Sequence, residues 1–453
     1  MQINTTFFKL NKISILLTFA CLLFYFSFAY NLARTNYIKL ITLYVALFIV
    51  SYKLIQITSG KFKFLLVAAI LCRLVFLLAT PNLSQDFYRF IWDGYLNQLG
   101  INPYLYSATE IINQNLASNM PNQQQLYDGM GWLSQGNNSN YPPINQLFFV
   151  LGNWFSGSSI LSSIIGMRVC IILADIGVIF YGRKLLKAFQ LPENSIFLYA
   201  LNPLVIIELT GNLHFESIMI FFIIFSLYLL HKSKWFWSAI CFAFAISTKL
   251  IPILLLPFFL KWFLKHHNLK YLIGFYLVIG ITVSLLFLPF LSSDFITNYS
   301  KTTALWFNNF EFNASIYYIA RAIGYSISGY NQIAIIGKCL ALLIFIIVWS
   351  LALFRKVNNM QQLIINMLLG LTVYFLLSTT VHPWYLATLV LLSVFSNYKY
   401  VIVWSLVIVL SYLAYANKDN TENLWLIGIE YSIVFLFIIG EIFNLKTIKN
   451  IKI

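Results

Sequence analysis

Acidic residues are scarce in this chain: 14 Asp and Glu stand against 29 Lys and Arg in 453 residues, and only 9% of positions are charged. So little charge excludes an ordinary soluble domain, and it makes each acid conspicuous. Cysteine is also sparse. Cys21, Cys72, Cys170, Cys241 and Cys339 all sit in apolar stretches. None has metal-ligand spacing, and their placement gives no disulfide framework. There is no internal repeat, no low-complexity tract and no separate polar domain, so a solenoid or a linker-joined assembly is excluded.

Apolar sequence fills the space these absences leave. Hydrophobic residues make up 60% of the chain, and mean hydropathy is +0.79. Runs near the ~20 residues needed to cross a bilayer recur along the whole length. Spans are expected near 13–32, 37–57, 62–80, 160–182, 194–211, 215–231, 271–290, 331–354, 361–380, 384–397, 400–416 and 424–444. Lys9 and Lys12 precede the first run, as in a signal peptide, but no small-x-small cleavage site follows it. It is expected to stay as an anchor. The fold class is therefore all-α, a polytopic transmembrane bundle of about 11–13 spans forming one domain over 1–453.

The net charge of +15 does not point to nucleic acid. The basic residues fall in short loops between spans, as the positive-inside rule predicts. Lys53, Lys61, Lys63, Arg183, Lys184, Lys187, Lys232, Lys234, Lys261, Lys265, Lys270, Arg355, Lys356, Lys399, Lys446, Lys449 and Lys452 share one side, read as cytoplasmic together with both termini. This scheme requires 235–264 to enter and return as a broken hairpin. Lys249 followed by Ile251-Pro252 supplies the break, because proline removes a helix hydrogen bond. Segment 144–157 is expected as a partial insertion. The polar loops then collect on the extracytoplasmic side: 81–143, Gly211–Ser217, the Lys249 turn, 291–330 and Val381–Tyr385. Loop 81–143 is expected to form helices lying on the membrane surface, since Trp132 and many Tyr suit the interface.

Candidate chemistry concentrates in Ser84-Gln-Asp-Phe-Tyr-Arg-Phe-Ile-Trp-Asp-Gly94. Asp86 and Asp93 are seven apart, so a helix places them on one face with Arg89 nearby. Lys249 lies in an apolar run, which is expensive for a cation and marks a functional position. Its plainer role is a stem snorkelling to the interface. Arg168 and Asp175, two turns apart, are expected to pair with each other or with neighbours as a structural element.

Asp86-Phe-Tyr-Arg-Phe-Ile-Trp-Asp-Gly94 followed by Gly100-Ile-Asn-Pro-Tyr104 resembles the first-loop signature of GT-C membrane glycosyltransferases. The resemblance is nearest to bacterial polyprenol-phosphate-mannose-dependent mannosyltransferases. More distantly, it extends to the first mannosyltransferase of GPI-anchor assembly. Tyr141-Pro-Pro-Ile-Asn-Gln-Leu147, Leu201-Asn-Pro-Leu204, Gly211-Asn-Leu-His214, Lys249-Leu-Ile-Pro252, Phe312-Asn-Ala-Ser-Ile-Tyr317 and His382-Pro-Trp-Tyr385 follow in the family order. Relatives often carry two adjacent acids where this chain has Gln85-Asp86, so an Asp pair for a metal is missing.

The resemblance implies inverting transfer of a hexose, mannose by family usage, from a polyprenyl-phosphate donor to a glycan or lipid acceptor. The site would face the extracytoplasmic side of a cell (inner) membrane. Such transfer needs a base for the acceptor hydroxyl and cations for the departing phosphate. Asp86 fits the base, and Asp93 is a second catalytic candidate. Arg89, Asn212, His214, Lys249 and His382 are candidates for the donor phosphate. No cofactor is called for, and a divalent metal on Asp86, His214 and Glu216 stays open. The plainer roles are an N-cap or Arg89 partner for Asp86 and a loop tether for Asp93. For His214 and Glu216 they are hydrogen bonds that shape the site, and for His382 an interfacial ring. A lipid-linked sugar flippase and a polysaccharide polymerase or ligase remain alternatives. The former often shows an inverted repeat, which this chain lacks.

Overall fold

Apolar length alone dictates the outer shell. The computed structural model describes residues 5–154, 157–308, 310–417 and 419–443, with the side chains of 5–10 and 306–309 left aside. Lys446, Lys449 and Lys452 lie outside the described residues. Among the described residues there is no β-strand, and seven helices are long and apolar enough to cross a bilayer. They are α1 (Thr5–Asn31), α2 (Tyr37–Ile57), α9 (Ile160–Ala188), α14 (Leu269–Phe287), α17 (Ile333–Phe354), α18 (Met360–Leu377) and α21 (Leu424–Ile442). The protein is thus an all-α, multi-pass membrane protein.

The remaining apolar segments are short or broken. They include α3 (Phe62–Leu74), α10 (Phe197–Ala200) with a π-turn segment at Val205–Gly211, α11 (Glu216–His231), α12 (Trp235–Thr248) and α13 (Leu256–His266). Later come α19 (Leu386–Ser393) and α20 (Tyr400–Val407), the latter continuing as a 3-10 run at Ile408–Ala416. Breaks free backbone carbonyls and amides, which lipid cannot satisfy, so these segments must pack inside the bundle. Residues 197–220 are buried almost without exception, whereas α17 is largely exposed.

Two breaks share one clamp. Arg168 of α9 donates to the carbonyls of Leu77 (3.1 Å) and Ala79 (2.7 Å), just beyond α3. It also donates to those of Thr210 (2.8 Å) and Gly211 (2.9 Å), at the end of the π-turn segment. Of the two expected arrangements, Arg168 and Asp175 do not pair with each other; each pairs with neighbours. Asp175 instead receives Arg73 Nε (2.8 Å), Tyr199 OH (2.8 Å) and Ser217 Oγ (2.9 Å). Four freed carbonyls offer a guanidinium more partners than one carboxylate does, which is why Arg168 turns away.

The segment 235–266 folds back on itself. Lys249 is extended (φ −147°, ψ 147°) between α12 and a 3-10 turn at Ile251–Leu255 that contains Pro252. Phe242 packs edge-on against Phe259 (5.0 Å), and Trp235 at the start of α12 meets Tyr271 just past α13 (5.6 Å). Both ends of the hairpin therefore lie together, with Lys249 near its tip.

Loop 81–143 differs from a surface layer. It holds α4 (Asp86–Gln98), α5 (Ala108–Asn113), α6 (Gln123–Gly129) and α7 (Gly131–Gln135), and it leads into α8 (Pro143–Trp154). Only the outer part lies open, with Trp132 81% exposed. α4 is sunk against α8, because Gly94 leaves no room for a side chain: a Cβ there would sit 2.7 Å from the Phe149 carbonyl. The basic connectors gather at the opposite end, where Arg183 stacks on Phe62 (3.9 Å) and Lys61 bonds Asn11 (2.7 Å).

Replacing Arg168 with Met should cost roughly 1–3 kcal/mol for each carbonyl left unpaired, read as a lowered melting midpoint in detergent. Arg168→Lys keeps charge but not the fork and should fall between. Equal midpoints for Arg168→Met and wild type would show that the carbonyls are satisfied without it.

Candidate active site

α4 begins at Asp86, whose backbone N–H donates to Ser84 Oγ (3.2 Å). A carboxylate in the first turn is favoured by the helix dipole. Burial pushes the Asp86 carboxyl above the usual carboxylate range, and Lys249, the Ser84 hydroxyl and Arg34 pull against it. Lys249, on the hairpin tip, is ion-paired with Glu216 at the start of α11. The lysine is 17% exposed and Glu216 is fully buried. The Tyr385 ring lies 5.8 Å from Lys249 Nζ. Asp86 and Lys249, distant in sequence, thus act on one another at the end of the bundle reached by α4.

His214 and His382 reach the same place through stacked rings. His214 lies on Trp384 at 3.8 Å, Trp384 on His382 at 4.4 Å, and His382 on Phe312 at 4.9 Å. Phe312 is fixed because its N–H donates to Thr379 O (3.1 Å) and its carbonyl receives Val381 N–H (2.9 Å). Burial, and secondarily Lys249, push His382 down to about 3. It is therefore a neutral ring at ordinary pH and not a cation. Leu213 takes φ +62° to bring His214 round, a strained conformation for a bulky residue and one typical of functional turns. His214 Nε2, His382 Nδ1 and Glu216 Oε2 are buried without hydrogen-bond partners. Unpaired buried polar atoms are costly, and three of them gathered about one lysine mark a place built for a polar ligand.

Asp93, Arg89 and Asn212 are committed within the protein. Asp93 accepts from Arg89 Nε (2.7 Å), Ser139 Oγ (2.5 Å) and Gln146 Nε2 (3.2 Å). Arg89 Nη1 donates to the carbonyls of Ser134 (2.6 Å) and Asn137 (2.9 Å). This pair staples the loop and α8 onto α4. Asn212 takes Leu83 N–H on Oδ1 (3.2 Å) and gives Nδ2 to Glu208 (3.3 Å), so it ties the turn before Asp86 to the π-turn segment. Among the described residues no three of His, Cys, Asp and Glu gather as a metal-ligand set, so Asp86, His214 and Glu216 do not form one.

Sequence reasoning missed Glu208, Arg73 and Arg34. Glu208 and Arg73 each stand alone in an apolar run, the signal used for Lys249. Glu208 receives Tyr412 OH (2.6 Å) and braces the floor beneath Asn212. Arg34 sits in the short connector between α1 and α2, at the Asp86 end.

A helical membrane protein whose first polar loop presents an acid, facing a lysine on a broken hairpin, has the arrangement of a GT-C-like glycosyltransferase. Residues 23–265 match the family described as alpha-(1->6)-mannopyranosyltransferase, N-terminal domain, and the chain belongs to that family. The match takes in Asp86, His214 and Lys249 and stops before His382. Alpha-(1->6)-mannopyranosyltransferase A of Corynebacterium glutamicum is 23% identical over 193 residues, 42% of this chain and 36% of the relative. That similarity spans about a third of the relative's length.

Arg89→Met would leave Asp93 buried beside no cation, a loss on the order of 3–5 kcal/mol. It should open 134–139 to proteolysis in detergent. Asp93→Asn should be milder. Unchanged proteolysis and melting in Arg89→Met would remove the staple role.

Proposed function

We propose that this protein transfers a mannosyl residue from a polyprenyl-phosphate donor to an extracytoplasmic glycan or lipid acceptor, with inversion at the anomeric carbon. By the linkage in the family's description the product bond is α-(1→6). The observation that carries this reading is the facing of Asp86 and Lys249, with unpaired His214, His382 and Glu216 atoms about the lysine. Asp86 accepts the proton of the acceptor hydroxyl as its oxygen bonds to the anomeric carbon. The bond from that carbon to the phosphate oxygen breaks, and the polyprenyl phosphate leaves with the electron pair. Lys249 receives the developing phosphate charge, and the neutral histidines offer N–H groups as hydrogen-bond donors to it. Asp93, Arg89 and Asn212 hold the loop that presents the base.

Asp86→Asn should lower transfer by ~10²–10⁴, and Asp93→Asn by less. Lys249 is best tested as Lys249→Ala with Glu216→Gln, so that no buried carboxylate is left alone. That variant should lose donor use severely, with acceptor KM little changed, while Lys249→Arg retains part. The acid limb of kcat should follow Asp86. Its carboxyl sits above the usual range, so activity falls as pH drops through that raised value, and His382, pushed down to about 3, is already neutral at ordinary pH. The measurement is steady-state kinetics with polyprenyl-phosphate-mannose and acceptor varied separately. Near-normal turnover in Asp86→Asn would sink the choice of base.

Sidedness is a separate matter. The exposed connector residues Lys53, Arg183, Lys187, Lys232 and Lys265 gather at the end away from Asp86, with exposed Lys301 on the other side, and this bias supports an extracytoplasmic site. Cysteines at Asn122 and Lys187, both exposed, can be probed with an impermeant reagent in a background lacking the five natural thiols. Asn122 should label from outside and Lys187 should not. The reverse pattern would overturn the orientation.

A further inference from the structure

Arg34 is the cation that neither the family signature nor the apolar-run argument assigns. Its guanidinium lies 3.4 Å above the Tyr415 ring, and its Nη1 donates to the Leu83 carbonyl at 3.1 Å. On the other side of that residue, Leu83 N–H donates to Asn212 Oδ1. Asn82 Nδ2 in turn bonds the carbonyls of Phe28 (2.7 Å) and Leu32 (3.2 Å). The turn 82–85 that delivers Asp86 is thereby held from both flanks, with Arg34 as its charged anchor.

Two cations act on the Asp86 carboxylate, Lys249 and Arg34. The other polar groups that face it are Ser84 from its own turn, Glu216 of α11, Tyr141 before α8, Tyr385 before α19 and Tyr415 at the end of the 3-10 run. Glu216 repels it, and the tyrosines are neutral hydroxyls. Lys249 is already shared with Glu216 and, in the proposed reaction, takes the donor phosphate as well. A lysine balanced by two anions leaves little charge for a third. A buried carboxylate without a cation takes up a proton, and a protonated Asp86 cannot accept one from the acceptor.

We propose that Arg34 is a positioning residue of the transfer reaction: it fixes the turn carrying Asp86 and supplies the cation that faces this carboxylate while Lys249 holds the donor phosphate. The inference rests on Asp86 being the base. A planar guanidinium suits the place because it can stack on Tyr415 and donate in its own plane at once.

The test is the pH dependence of kcat at saturating polyprenyl-phosphate-mannose, with octyl α-mannoside as acceptor probe, in purified full-length protein whose melting is checked. In Arg34→Gln the acid limb should move up by about one pH unit, which makes transfer about tenfold slower on the acid side and closer to wild type at high pH. Arg34→Lys should restore most of the profile. A uniform loss at every pH with an unmoved limb would overturn the charge role, and a wild-type rate and profile would overturn the proposal entirely. Asp86→Asn is measured in parallel. If it turns over normally, the base assignment fails and takes the Arg34 role with it, an outcome separable from a silent Arg34→Gln beside a dead Asp86→Asn.

Discussion

The site depends on one guanidinium. Arg168 holds the frayed end of α3 and the end of the π-turn segment with four hydrogen bonds from a single side chain. From the first end the chain runs on through residues 80–85 to Asp86, and from the second it passes through Asn212 to His214. Without a donor for these carbonyls, neither helix could stop inside the bundle, because lipid offers no alternative partner. Positioning of the reactive groups is therefore a by-product of satisfying backbone carbonyls in a place without water.

Charge is used sparingly and locally. The scarce acids that reach the interior are met in two ways: Asp175 has Arg73, Asp93 has Arg89 and Glu216 has Lys249, whereas Glu208 accepts from Tyr412 and Asn212, and Glu430 from Asn313 and Trp404. Among the described residues no side-chain ion pair within contact distance claims Asp86 either, but two cations, Lys249 and Arg34, act on it from nearby. A carboxylate kept in reach of positive charge without being spent on it retains its lone pairs for a substrate proton.

Much of this was legible from the residues, and the limits have physical causes. Long spans and the break at Lys249 follow from hydropathy and proline chemistry. Which neighbours Arg168 and Asp175 would take was not legible, because sequence spacing cannot register freed carbonyls, and for Arg168 those outbid a carboxylate. Arg89 and Asn212 carry the residue types that suit a phosphate, yet loop carbonyls, Asp93 and Glu208 use up most of their donors. The depth of α4 was hidden as well. Only the contact of Gly94 with the Phe149 carbonyl shows why a polar loop sinks inward. The plainer reading of His382 is an exposed interfacial ring, but the side chain is buried inside a stack.

That stack joins parts of the chain far apart in sequence. Phe312, His382, Trp384 and His214 lie nearly parallel, and the first three belong to the half beyond residue 265. Each face contact between such rings adds about 0.5–1.5 kcal/mol beyond the area it buries, so the stack ties these segments together. The half carrying the acid and the lysine is thus braced by a half outside the matched region. A shortened chain ending near 265 would keep Asp86, His214 and Lys249 but lose His382 and the ring wall on which His214 rests.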